Sequence, residues 1–482
     1  MRYVRTAVSL LATAALLGGC AIGPRYVAPA SSAPPAFVGG PAVDLRPAAQ
    51  TADLVNWWRG FDDPLLTSLV ERALAQNLDL QQAGARVVQA RAALKNANAA
   101  LLPSGQISGQ AGEIYQSRET PIGRLGSAFP QFERSTETYE LGLGASWELD
   151  LFGGRDAARD AARADWQASA AGAVAARLAV AAQTADTYIA IRTLQARLDV
   201  ARAQTDTQQR LVDLIALQYR KGIAAELQLR QAEGALAQVR ASIPALQNDL
   251  DIAMNALDVL LGMQPGATRA ELTLSASIPV PPTISTAGGP AALLRRRPDI
   301  IAAERTLAAS NARIGVAVSE YYPKISLSGL LGTATTSAGG LFTGNATQAN
   351  GVFGLRWRLF DFGRVDAEIK AAKGRNAEAL AAYRLTVLRA SQDVEDAFST
   401  LVQQEARAAV LAQGETSLTR ARSASFAAYK GGVASLIEVL DADRRLLETR
   451  DGAIQARAAA TRGAVASFRA LGGGWNPAPA TH

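Results

Sequence analysis

The sequence predicts a mainly α-helical fold with a smaller β part, a strand-and-long-helix unit made twice in one chain. Three observations predict it: a self-similarity at an offset of 210 to 220 positions, four short stretches with period-2 patterning, and two very long helical stretches without proline.

The repeat is legible residue by residue. Tyr219, Gly222, Ile223, Ala224 and Leu227 return 210 positions later as Tyr429, Gly432, Val433, Ala434 and Ile437. At the same offset Trp147-Glu148-Leu149 matches Trp357-Arg358-Leu359, and Phe152-Gly153 matches Phe362-Gly363. Further upstream the offset becomes 220, with Asp79-Leu80 facing Asp299-Ile300 and Pro103 facing Pro323. The change in offset falls between the two strands of a hairpin, so the hairpin loop is expected to be longer in the first half.

Within each half the period changes. Tyr139, Leu141, Leu143, Ala145, Trp147 and Leu149 alternate with Glu140, Gly142, Gly144, Ser146, Glu148 and Asp150, a strand with one apolar face. Phe353, Leu355, Trp357 and Leu359 alternate with Gly354, Arg356 and Arg358 in the same way. Weaker strands precede them, around 106–114 and 325–331, which makes four per chain. Their lengths approach the roughly nine to eleven residues that cross a bilayer obliquely, apolar side chains toward lipid and polar or glycine residues toward a lumen. Four strands cannot close, because an open edge has no hydrogen-bond partner in lipid; several chains must pool their hairpins. Trp147 and Trp357, near the strand ends, suit an interfacial aromatic belt. The competing reading is a soluble antiparallel sheet with tryptophan in its core.

After Gly153-Gly154 and Phe362-Gly363 the pattern becomes helical. No proline occurs between Pro130 and Pro244 or between Pro323 and Pro477. A helix over 156–219 would be roughly 95 Å long and one over 364–429 about 100 Å, lengths that no isolated core needs. Returning helices are expected over 227–261 and 436–471, and helices leading into the first strand of each hairpin over 66–100 and 291–319. Alanine alternating with Leu, Val and charged residues permits close coiled packing of antiparallel neighbours.

Met1 to Gly19 have a basic start at Arg2 and Arg5, an apolar stretch and small residues before the only cysteine, which reads as a secretory leader. Leu17-Gly18-Gly19-Cys20 resembles the bacterial lipobox, in which Cys20 is lipidated and becomes the mature N-terminus. An ordinary signal peptide with an incidental cysteine is the alternative. Several acyl chains anchor a protein stably where one does not, and Ala21 rather than Asp after the cysteine resembles lipoproteins sorted to the outer membrane. The organisation expected is therefore a signal peptide at 1–19, Cys20 with a proline-rich tether at 20–50, a first repeat at 51–263, a proline-rich linker at 264–290, a second repeat at 291–472 and a tail at 473–482.

The formal charge is +6, of which Arg2 and Arg5 contribute two, and the other arginines are interleaved with acids rather than clustered. Nucleic acid is a poor partner for such a surface. One cysteine and one histidine, the terminal His482, exclude intrachain disulfides and supply no usable zinc site or His-dependent catalytic triad. No enzyme, metal or cofactor is expected.

The arrangement resembles the outer-membrane factor family typified by TolC, and its lipid-anchored NodT-like branch. The stretches that carry the resemblance are Asn56-Trp57-Trp58 with Phe61 and Asp63-Pro64, Leu293 to Ile300 around Arg296-Arg297-Pro298-Asp299, Ala303-Glu304-Arg305, Asn311 to Gly315, and Tyr322 to Gly329. The resemblance implies a homotrimer with a twelve-stranded membrane barrel and a long periplasmic helical barrel. It also implies a periplasmic adaptor and an inner-membrane pump, of the RND (drug-efflux) type by the NodT-like motifs. Metal efflux or type I protein secretion are the other channel readings. A periplasmic scaffold lipoprotein without a pore is the reading from a different class, and it leaves the alternating strands unexplained.

By the same resemblance Tyr429 to Arg444 form the helix-turn-helix at the periplasmic tip, with Gly431 and Gly432 permitting the turn as Gly222 does in the first half. Glu438, Asp441 and Arg444 are spaced i, i+3, i+6, near one helix face. Asp441 and Glu438 match positions of a constricting acidic ring, Arg444 an interprotomer ion pair, and Ile437 an apolar narrowing of the entrance. A solvated helix face with an ordinary ion pair is the local alternative. Gln231 and Gln228 replace Asp441 and Glu438 in the first half, so the acidic gate is expected from the second half only. Ala434 stands where some relatives carry a gating arginine, and that lock does not transfer. Tyr219 and Tyr429 are expected at the adaptor or at an interhelical contact.

Overall fold

A computed structural model of the chain describes residues 22–30, 35–46, 52–286 and 289–476. The leader, Cys20 and His482 lie outside these residues. Among the described residues the α-helices and strands follow one another as α1 (Gly40–Asp44), α2 (Pro64–Gln76), α3 (Leu78–Ala99), β1 (Ser104–Tyr115), α4 (Pro121–Gly126), β2 (Ser135–Leu149), α5 (Gly154–Arg220), α6 (Glu226–Leu260), α7 (Gly289–Arg296), α8 (Pro298–Ser319), β3 (Lys324–Thr335), β4 (Thr347–Arg356), α9 (Arg364–Lys430) and α10 (Leu436–Ala470).

The duplication extends to element length. The helices before the hairpins, α3 and α8, have 22 residues each; α5 and α9 have 67 each; α6 and α10 have 35 each. The first strands β1 and β3 have 12 residues each, whereas β2 has 15 and β4 has 10. The asymmetry sits at the hairpin, where the change in sequence offset put it.

Three expected boundaries are corrected. The helix expected over 66–100 breaks at Asn77, whose backbone is extended (ψ 131°). Its Oδ1 accepts from the amides of Asp79 and Leu80, and its Nδ2 donates to the Leu260 carbonyl at 2.9 Å. Capping thus ends one helix and begins the next. The helix over 291–319 breaks at Arg297, because Pro298 disfavours a helical residue before it and suits a first helical position itself. The last strand stops at Arg356, so Trp357 and Leu359 follow it instead of completing it. As expected, α6 runs through Pro244 without a break. Burial of Val239, Leu246 and Leu250 on either side of Pro244 holds it helical.

The contacts divide the chain into two units, each drawing on both halves of the repeat. Among the described residues the first comprises 22–29, 88–168 and 304–382, and the second comprises 30, 35–46, 52–87, 169–286, 289–303 and 383–476.

The first unit holds the sheet, an antiparallel meander in the order β1-β2-β3-β4. Its register gathers the large apolar residues into rows. Ile107 faces Leu143, which faces Leu331; Trp147 faces Leu327, which faces Phe353; Leu149 faces Ile325, which faces Leu355. Opposed residues share a face, so these rows build one apolar surface. The other face carries Ser104, Ser146 and Ser328 in one row, Ser108, Gly142, Gly332 and Gln348 in another, with Ile114, Leu330 and Val352 as its large apolar members. The side chains of the apolar face are uncovered: Ile107, Leu143, Leu331, Phe353 and Leu355 are all more than half exposed. Nothing within the described chain covers this face, so it is not a core closed within one copy. In the same unit, residues 22–26 are clasped onto helices. Tyr26 donates to Glu304 at 2.8 Å, Asn311 donates to the Pro24 carbonyl at 2.9 Å, and Gly23 approaches Gly315 so closely that a Cβ would stand 2.7 Å from its Cα.

The second unit is helical. Its largest buried side chains gather around Trp57, Trp58 and Phe468, with Trp57 stacked on Phe468 at 5.6 Å and Phe61 edge-on to both. Asp63 caps α2 through the amides of Leu65 and Leu66 and accepts from the Tyr188 hydroxyl at 2.7 Å. Arg192 then donates to that hydroxyl and to the Leu274 carbonyl. Burial pushes the Tyr188 phenol up to about 12. Arg297, between α7 and α8, pairs with Asp299 at 2.6 Å and Asp393 at 2.9 Å. The stretches that carried the family resemblance are in this way mostly framework, capping helices and tying loops down.

Candidate functional site

In the second unit residues 169–220 of α5 with α6, and residues 383–430 of α9 with α10, form two helical hairpins, and each turns on one glycine. Gly222 (φ +71°) and Gly432 (φ +75°) adopt the left-handed conformation that L side chains rarely adopt. In both, the glycine amide bonds back to the preceding tyrosine carbonyl, Tyr219 or Tyr429. The next amide, of Ile223 or Val433, bonds to the carbonyl just before that tyrosine, Gln218 or Ala428. This is the double closure of a glycine-ended helix. Gly431 has no positive φ, and its amide bonds to the Ala427 carbonyl as in a helix. The turn therefore depends on Gly432 and not on Gly431, which is why the first half carries Lys221 there.

The hairpins pack through Leu211, Ile215, Leu229, Leu236, Leu436 and Val439. At this seam the tyrosines part company. The Tyr429 hydroxyl donates to Gln218 Oε1 at 3.0 Å, and burial raises its phenol. Tyr219 is 42% exposed. Tyr429 is an interhairpin contact, and Tyr219 is left on the surface.

The four expected gate residues lie on the first turns of α10. Ile437 is 61% exposed, an apolar side chain presented outward. Asp441 is held between two guanidinium groups, Arg444 and Arg445, each at 2.8 Å, and Arg444 also reaches Glu448 at 3.1 Å. The hydrogen bond from Arg444 and the two positive charges keep the Asp441 carboxyl below the usual aspartate range. Ile437, Asp441 and Arg444 line one open groove of about 740 Å³ with Gln204, Gln208 and Gln231. Glu438 does not share it. Its amide donates to Ser435 Oγ at 3.4 Å and its carboxylate accepts from the same hydroxyl at 3.3 Å, so it serves the cap of α10. The signal was present as Ser435-Leu436-Ile437-Glu438, a serine followed three positions later by a glutamate at a helix start.

Sequence reasoning missed Asp443. It is 1% exposed, pairs with Arg422 at 2.8 Å and accepts from Gln208 at 3.4 Å. The clue lay in spacing: Leu436, Val439, Asp443 and Leu446 form one seam, and an acid stands in it.

The belt tryptophans make equivalent bonds in the two halves. Trp147 Nε1 donates to the Leu101 carbonyl at 2.9 Å, and Trp357 Nε1 donates to the Tyr321 carbonyl at 3.0 Å. Each ties the end of a second strand to the turn entering the neighbouring first strand.

A four-stranded sheet with one uncovered apolar face, in one chain with long helical hairpins whose tips are charged, defines a membrane-embedded conduit with a helical extension. The comparisons give that class its family. The profile of the outer membrane efflux protein family matches residues 69–263 and 289–473, and the chain belongs to this family. It is 30% identical to the pyoverdine export outer membrane protein OpmQ of Pseudomonas aeruginosa, covering 97% of each chain. It is 31% identical to nodulation protein T of Rhizobium leguminosarum bv. trifolii, covering 99% of each. Among solved structures, the outer-membrane channel OprN superposes with a TM-score of 0.84 at 31% identity, over 95% of this chain and 100% of that one. The protein is accordingly a TolC-like outer-membrane efflux channel of the NodT type, located in the bacterial outer membrane.

Proposed function

We propose that three copies of the chain form the exit duct of a tripartite pump, anchored through lipidated Cys20 and gated at its periplasmic tip. Small molecules, the class to which pyoverdine belongs, would be handed from an RND-type inner-membrane pump through an adaptor. The observation that carries the reading is the pairing of an open, one-face-apolar sheet with two helical tips of unequal charge. Edges β1 and β4 are unpaired among the described residues, and only neighbouring copies can satisfy them in lipid. Three copies supply twelve strands, above the roughly eight that the smallest membrane barrels need. At the tip, Asp441 would recur as an acidic ring with Arg444 beside it and Ile437 as an apolar neighbour, while Gln231 keeps the first half neutral.

Planar-bilayer recording tests this. Asp441→Asn combined with Glu438→Gln is expected to raise conductance or weaken cation preference in a trimer that still shows heat-modifiable assembly. Because the Asp441 carboxyl is held low, the wild-type preference should persist down to the ordinary aspartate value of about 3.9 and fade only below it. Unchanged currents and selectivity in an assembled double variant would refute the acidic gate.

A further inference from the structure

The buried carboxylate of Asp443 serves neither the groove surface nor the turn. It sits where three helices meet: Arg422 of α9 donates to Oδ1, Gln208 of α5 donates to Oδ2, and its own helix is α10. Arg422 is further fixed over the Phe426 ring at 5.1 Å. An ion pair buried to this degree is not needed for adhesion, since apolar residues of similar volume would serve as well. What it supplies is geometry. The Arg422–Asp443 pair joins the two arms of the second hairpin, so that hairpin moves as one body, and the bond from Gln208 links Asp443 to the first hairpin.

The first half lacks the device. At the equivalent positions stand Val212 for Arg422 and Glu233 for Asp443, and Glu233 pairs outward with Arg230 on its own helix at 2.9 Å. Gln208 itself replaces what the second half carries as Leu418. Gln208 is 3% exposed, and its Oε1 is buried without a hydrogen-bond partner among the described residues. A buried amide that satisfies only one end is costly where leucine would do. Its retention is explained by the bond that its other end makes.

We propose that Asp443 is a positioning residue for the tip gate: riveted to Arg422 and latched across the seam by Gln208, it holds the second hairpin, and with it Ile437 and Asp441, in the constricting position. This rests on the reading of the tip as a gate. Opening breaks the long Gln208–Asp443 bond, with the Tyr429–Gln218 bond nearer the turn, and leaves the Arg422 pair intact, so the moving part carries its buried charge with its partner.

The test is closed-state current of the full-length trimer in planar bilayers for Gln208→Leu, Asp443→Asn and, as a control on the gate itself, Asp441→Asn. Gln208→Leu removes the latch and also the unpartnered acceptor, so a purely structural role predicts unchanged or higher thermal stability and unchanged current. The latch predicts a rise in open-state population of roughly tenfold, the weight of one ordinary charge-assisted hydrogen bond on a two-state equilibrium, at unchanged stability. Asp443→Asn should raise the current in the same direction. If Asp441→Asn alters the current and Gln208→Leu does not, the latch is wrong and the gate stands. If all three leave it unchanged, the gate reading fails and takes the latch with it. Should Asp443→Asn fail to assemble, Gln208→Leu alone decides.

Discussion

At the scale of single residues, two adjacent glycines have opposite roles. Gly432 occupies a left-handed conformation with nothing within 4 Å of a built Cβ, so the cost of Gly432→Ala is purely conformational. It should lower stability by about 1 kcal/mol. Gly431→Ala, on helix-like backbone with only ordinary contacts nearby, should be neutral or stabilising by up to about 1 kcal/mol. Thermal melting of the two purified variants beside wild type checks the contrast. Tyr188 makes the second residue-scale prediction. Its folded-state phenol is raised to about 12 from an unfolded value of 10.0, so its contribution is complete below pH 10 and is lost as pH rises from there through 12. Tyr188→Phe should cost about 1–2 kcal/mol at neutral pH, because Asp63 and Arg192 lose a buried partner. It should also flatten the alkaline limb of a stability-versus-pH curve. An unchanged alkaline limb would remove Tyr188 as its source.

At the scale of elements, the long helices were legible because their signal is an absence of proline sustained over many turns, and the strands because their period is 2. The finer boundaries were not. Asn77 ends a helix through bonds that include the Leu260 carbonyl, far away in sequence, and no local pattern announces such a partner. The returning helix was expected through Pro244 and forms there, since the apolar stripe of α6 outweighs one missing donor. Trp357 continues the apolar alternation of β4 but leaves the strand, because the register that pairs Arg356 with Lys324 sets it opposite Pro323, which has no amide to donate. The gate showed the same division. Asp441 with Arg444 was visible as an i, i+3 pair, whereas Glu438 lies in the same spacing and is engaged by Ser435 instead.

At the scale of the molecule, the repeat makes the contacts between copies predictable. Phe152, after β2, stacks on Tyr322 ahead of β3 at 4.8 Å. Its counterpart Phe362, after β4, is fully exposed, and the counterpart of Tyr322 is Leu102, ahead of β1 and 65% exposed. If β4 of one copy meets β1 of the next as β2 meets β3, Phe362 packs against Leu102 of the neighbouring copy. A variant carrying Leu102→Cys and Phe362→Cys should be captured as covalent dimers and trimers by a short bifunctional thiol reagent, and either single variant should not. Monomers only, from assembled trimer, would rule out this continuation of the repeat around the ring.

The sequence by itself determined the duplication, the four strands, the long helices and the glycine turns, because each is written in local period or in direct self-similarity. It also determined that the tips are unequal, since Gln231 and Asp441 are simply different residues at one repeated position. Only the tertiary structure decided which tyrosine packs into the seam, that Glu438 caps a helix, and that Asp443 is an internal anion held by Arg422 and Gln208. Those outcomes depend on which distant side chain arrives at hydrogen-bonding distance, and packing between helices sets that, not the pattern along any one of them.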